Sequence, residues 1–114
     1  MANEAKTSKR VAIPTLEQFQ TAIQRVTSVT SSRVAIPMVG STYTPLDYRK
    51  GIIVQNVGSA TVYLGSVTVT ADTAATGGIQ LGPLDSLNIT LDGSCTLYGI
   101  VASTAVKVAS LEVS

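Results

Sequence analysis

From Gly51 onward, apolar residues recur in short bursts and two-residue alternations, each closed by turn-forming residues. Ile52-Ile53-Val54 runs into an Asn56-Val57-Gly58-Ser59 turn. The segment 61–64 (TVYL) is set off by Gly65-Ser66 from 67–70 (VTVT). A loop over 71–78 ends in Gly77-Gly78 and leads to Ile79-Gln80-Leu81. Gly82-Pro83 then turns the chain into 87–91 (LNITL), an unbroken apolar/polar alternation. Asp92-Gly93 reads as a tight-hairpin signal before 96–101. The last stretch, 106–113, changes phase between Val108 and Leu111, which predicts a bulge at Ala109-Ser110. With 34–39 added, the chain holds about eight short strands. This is an all-β pattern, a small antiparallel β-sandwich or a jelly-roll-like barrel. Ile53, Leu87, Ile89, Leu91, Leu97, Val106 and Val108 are the expected core.

The N-terminal part has a different period. Residues 1–14 (MANEAKTSKRVAIP) are small, polar and basic, and read as an arm. Thr15 with Gln18 resembles a capping box. Leu16, Phe19, Ile23 and Val26 then fall on one helical stripe, so one short amphipathic helix is predicted at about 15–27. β-branched Thr27, Val29 and Thr30 oppose its continuation. The domain division is therefore an arm at 1–32 and a β domain at 33–114. A three-turn helix is marginal alone in water and needs a surface. Its own β domain, further copies of the chain or a different protein could each supply one. Arg10-Val-Ala-Ile-Pro14 recurs as Arg33-Val-Ala-Ile-Pro37, and both copies are expected to be extended.

Charge sharpens the division. Residues 1–50 hold seven basic and three acidic side chains, a net +4, whereas 51–114 hold one basic and four acidic, a net −3. Only 13% of the 114 residues are charged, about half the usual share. At a net charge of +1, self-repulsion adds little colloidal protection, which favours a surface covered by neighbours.

Candidate chemistry is sparse. There is no histidine, so neither a Ser-His-Asp nor a Cys-His arrangement can form, and the commonest zinc ligand is missing. The single Cys95 excludes an intrachain disulfide; just before a strand it is expected to be a small buried hydrophobe. Asp72, Asp85 and Asp92 sit beside turn residues and are expected to bond their own backbone. These features argue against an enzyme, and no cofactor or metal site is expected. Lys6, Lys9 and Arg10 could touch phosphates, but no aromatic residues are interleaved with them, which argues against a nucleic-acid partner. Residues 1–10 show no apolar signal region and no apolar run is long enough to span a bilayer. Synthesis in the cytoplasm without secretion or membrane attachment is the expectation. Tyr43, Tyr48, Tyr63 and Tyr98 could form a sugar- or receptor-binding face, or simply straddle core and solvent.

The runs 51–65 (GIIVQNVGSATVYLG), 79–91 (IQLGPLDSLNITL) and 96–102 (TLYGIVA) resemble small tailed-bacteriophage virion proteins, the head decoration (cement) proteins and the base domains of head fibres. The resemblance lies in the strand-and-turn rhythm of residues 51–113. It implies a non-enzymatic structural protein on the phage head surface, a homo-oligomer and often a trimer, which clamps the major capsid (coat) protein. An N-terminal arm reaching across the lattice would anchor it, with Lys9, Arg10, Leu16, Phe19, Ile23 and Val26 as the candidate contacts. The alternative expectation is a phage tail or host-attachment module that binds a cell-surface glycan.

Overall fold

Where β-branched and small polar residues alternate, the backbone extends and pairs, and the connections carry the glycines, prolines and aspartates. The structure, a computed structural model, describes residues 21–114. Its ten strands are β1 (Ala22–Val29), β2 (Val34–Ile36), β3 (Met38–Val39), β4 (Thr42–Tyr43), β5 (Gly51–Asn56), β6 (Val62–Gly65), β7 (Ile79–Leu81), β8 (Ser86–Thr90), β9 (Leu97–Ile100) and β10 (Val106–Val113). Eight of them form two four-stranded antiparallel sheets, ordered β1-β10-β5-β8 and β2-β9-β6-β7. The remaining two make a hairpin around Gly40, which takes a φ of 63° that favours glycine.

One apolar cluster joins the sheets. Val29, Ile52, Val54, Val106 and Val108 enter it from the first sheet, and Ile36, Val62, Leu64, Leu81 and Leu97 from the second. β1, β5, β6, β8, β9 and β10 alternate inward and outward residues, so each sheet has one buried and one outer face. At Gly99 a side chain would meet Ile36 and Val29, so the glycine lets the sheets approach closely there.

The outer faces differ. On the second sheet, Gly65 follows buried Leu64, and a Cβ there would meet the Val69 side chain at about 3.0 Å. Val69 is itself buried outside the main cluster, and Arg33 Nε donates to its carbonyl at 2.6 Å. The loop between β6 and β7 thus folds back over its own sheet. Beside the first sheet, Val34, Met38 and Gly40 border a hollow with the outward Val26, Ser28 and Lys107.

Several expectations need correction. The predicted helix at about 15–27 lies partly outside the described residues, and from Ala22 the chain is strand, paired with β10 over eight residues from Ala22↔Val113 to Val29↔Val106. Strand β1 therefore belongs to the sandwich, and its β-branched residues find there the partner strand that local helix signals cannot outweigh. Ile23 and Val26, neighbours on a helix, point to opposite faces of the strand because an odd spacing reverses the side. β10 runs without the expected bulge: its register with β1 is continuous, and Ser110 and Glu112 take the buried positions after Val106 and Val108. Asp92-Gly93 does not close a hairpin, since β8 and β9 lie in different sheets. Residues 67–70 are loop apart from a bridge between Thr70 and Gly77. Of the expected core, Leu97, Val106 and Val108 are buried and Leu87, Ile89 and Leu91 pack against it, but Ile53 points outward while its neighbours Ile52 and Val54 point in.

Candidate assembly surface

The outer face of the first sheet is built by register alone. Three full rows cross it: Ala22, Val113, Gly51 and Thr90; then Gln24, Leu111, Ile53 and Asn88; then Val26, Ala109, Gln55 and Ser86; Ser28 and Lys107 follow at one end. The twelve residues of the full rows carry no formal charge, and Lys107 brings one to the end of the face. Val26 is 59% and Ile53 39% exposed, at the edge and centre of the sheet. Gly51 leaves a gap between Val113 and Thr90, and the resulting hollow of about 340 Å³ is bordered by Lys50, Ile53, Asn88, Leu111 and Val113.

Beneath this face, at the end of the sandwich where β10 finishes and β5 begins, lies a buried ion pair. Tyr48 takes a left-handed φ of 56° and is 92% exposed; the next residue, Arg49, drops into the interior. Its Nη1 donates to Glu112 Oε2 at 2.8 Å. Its Nε donates to the Leu91 carbonyl at 3.1 Å, and Nη2 to those of Asp92 and Cys95 at 3.1 and 2.7 Å. Glu112 Oε2 also accepts from the Leu46 amide at 3.2 Å. Arg25 stands 3.6 Å from Glu112 Oε1 and donates to the Thr44 carbonyl at 3.2 Å. Arg49 thus ties the start of β5, the end of β10 and the β8–β9 connection together, which holds the row of Val113 and Gly51 in place. A charge in this position is stable only because each neighbouring acceptor is aimed at it. Tyr43 Oη, Ser110 Oγ and Glu112 Oε1 are buried here without a hydrogen-bond partner.

The remaining carboxylates serve their own turns. Asp72 accepts from the Ala74 amide and the Thr70 hydroxyl, Asp85 from the Gly82 amide, and Asp92 from the amide and hydroxyl of Ser94. The Ser94 hydroxyl and amide hold the Asp92 carboxyl below its ordinary pKa, with a smaller contribution from Arg49. Cys95 is exposed, contrary to expectation, because it belongs to this turn and its carbonyl is committed to Arg49. Among the described residues no three of His, Cys, Asp and Glu gather to hold a metal, and no helix is long and apolar enough to cross a membrane.

Of the candidate anchoring residues, Lys9, Arg10, Leu16 and Phe19 lie outside the described residues. Ile23 faces the interior opposite Glu112, and Val26 stands on the outer face, so the structure separates these two. The tyrosines do not converge either. Tyr63 and Tyr98 share the outer face of the second sheet, Tyr43 has a buried hydroxyl and Tyr48 stands alone in its turn. The ion pair was missed in the sequence because Arg49 and Glu112 are 63 positions apart. A strict period of two carried through β10 would have revealed Glu112 as an inward residue.

No family model, curated protein or solved structure matches the chain.

Proposed function

We propose that this chain is a non-enzymatic virion structural protein that decorates or stabilises a phage capsid, with residues 1–20 as its anchor and the β domain as a unit of a homo-oligomer. The observation that carries this reading is the open outer face of the first sheet, with Lys107 at one end as the charge in its rows, in a domain whose buried charges are spent on its own backbone. A surface of that kind suits contact with another protein, and repeated weak contacts on a lattice give firm attachment. The strand order supports the same reading. The sheet strands cross from one sheet to the other at every step except β6 to β7, and their order is that of a double-sheet jelly roll, an architecture used by viral capsid domains as well as lectins and cupins. Fold alone does not assign function; the phage assignment itself draws on the strand-and-turn resemblance of residues 51–113.

The coat protein is the proposed partner, with the head surface as the location. Co-sedimentation with capsids of the source phage tests this. The full chain should pellet with capsids, and a variant lacking residues 1–20 should stay in the supernatant with an unchanged β-type circular dichroism spectrum. The deletion must stop at Gln20, because β1 begins at Ala22. Absence of capsid binding by the full chain, together with binding on a glycan array, would replace decoration by host attachment.

A further inference from the structure

We propose that the groove beside β9, which β2 fills, takes residues 10–14 of the same chain as a second occupant, so that two segments compete for one edge of the second sheet. Arg10-Val11-Ala12-Ile13-Pro14 and Arg33-Val34-Ala35-Ile36-Pro37 are identical, and the flanking Lys9 and Thr15 differ from Ser32 and Met38. The second copy of the motif holds the groove along its whole length. Arg33 Nε donates to the Val69 carbonyl at 2.6 Å, and the Thr44 amide donates to the Pro37 carbonyl at 3.1 Å. Between them Val34, Ala35 and Ile36 pair with Gly99, Tyr98 and Leu97. Ile36 is fully buried, and its Cδ1 fills the space that Gly99 leaves beside Val29. A groove shaped for these residues offers the same bonds and the same apolar fit to 10–14 as to 33–37.

Chain geometry allows the exchange. With Pro14 in the place of Pro37, the chain leaves the groove beside Thr27, whose Oγ1 accepts from the adjacent Met38 amide at 3.0 Å. Ala22, where β1 begins, lies five positions back along the strand, about 17 Å away. Residues 15–21 span about 23 Å when extended, so they reach it. The released 30–37 would then form a loop between β1 and β3. So short a tether keeps 10–14 at a local concentration in the millimolar range, which a second copy in solution does not match. Contacts do not choose between the two occupants, because their side chains are the same; connectivity does. Residues 33–37 need only the short connection after Val29, whereas 10–14 must close a further loop at an entropic cost. β2 is therefore the major occupant, as in this structure, and 10–14 the minor one. An arm that enters the groove withdraws Lys9 and Arg10 from a coat partner, a consequence that rests on the decoration reading, whereas the exchange itself does not.

Ile36→Ala in the full chain weakens the major occupant and draws in the minor one. In this variant, NMR should show nuclear Overhauser contacts between the methyls of Ile13 and Val29 that the parent lacks. Thermal melting is the second measure. Ile13→Ala should shift the parent midpoint by less than about 1 °C, yet lower that of Ile36→Ala by about a further 5 °C or more, because only there does Ile13 fill the core. Ile36→Val removes a single methylene and keeps the fold should the alanine variant lose it, with the same contacts expected at lower intensity. Absence of Ile13–Val29 contacts in both variants overturns the proposal, and so do strictly additive losses in melting. Sedimentation equilibrium of Ile36→Ala should return the monomer mass of 11.8 kDa. A larger mass that falls back with Ile13→Ala puts the segment in a second copy and overturns the same-chain assignment. None of these measurements involves a capsid, so failure of the decoration reading leaves the exchange standing, and capsid binding does not rescue it.

Discussion

Replacing Arg49 by methionine tests how the open face is held from beneath. The substitution keeps much of the side-chain volume but removes one buried charged bond of 2.8 Å to Glu112 and three bonds to the carbonyls of Leu91, Asp92 and Cys95. Glu112 is then left buried, with the Leu46 amide at 3.2 Å and Arg25 at 3.6 Å as its remaining partners. Each bond to a charged group has a net worth of about 1.5–3 kcal/mol, but the arginine's own desolvation is relieved at the same time. Breaking a buried pair from one side costs about 3–5 kcal/mol. A domain of this size is stable by roughly 5–15 kcal/mol, so the loss is a large share of the whole. Thermal melting should fall by about 12 °C or more. Urea unfolding of R49M, E112M and the double variant separates pairing from packing. The double variant should lose about 2 kcal/mol less than the two single losses added together, because it leaves no charge stranded. A loss under about 1 kcal/mol for R49M with an unchanged urea slope, or strict additivity in the cycle, would refute the reasoning.

Two further predictions concern local structure. Gly78→Ala should destabilise by at least about 2 kcal/mol, because its Cβ would stand 2.6–2.9 Å from Val69 and the Leu64 backbone, whereas Gly93→Ala, with nothing within 4 Å, should stay within about 0.5 kcal/mol of the parent in the same urea assay. Ser94→Ala should raise the Asp92 titration midpoint toward the ordinary 3.8, followed by NMR of the carboxyl. Because the folded pKa lies below the unfolded one, this carboxylate contributes stability above the unfolded value and loses it as pH falls through the folded value, so the variant should lose less on acidification over that window.

Much of the architecture was legible in the chain. Turn chemistry at Asn56-Val57-Gly58, Gly82-Pro83 and Asp92-Gly93 marks places where strands end, although Asp92-Gly93 closes no hairpin, and the alternation of 87–91 gives β8 with Leu87 and Ile89 turned to the core. These features are local: a turn needs particular backbone angles, and a strand buried on one face needs a period of two. Where local signals conflict, the sequence misleads. At 16–26 a helical stripe and a strand of β-branched residues coexist. For the described part, from Ala22 onward, the eight-residue ladder with β10 decides the outcome.

What the sequence by itself determined is the class of the fold, the places where the chain turns and which residues of a strand share a side. Only the tertiary structure decided which side is covered. Ile52, Ile53 and Val54 are equally apolar, yet Ile53 stands outward because Leu111 and Asn88 flank it on an open sheet while its neighbours meet the second sheet. Glu112 looks like a surface residue in a strand and is buried because Arg49 arrives from 63 positions away. Burial of a charge, or exposure of an aliphatic group, depends on what the rest of the chain brings to it, and a linear pattern does not encode that partner.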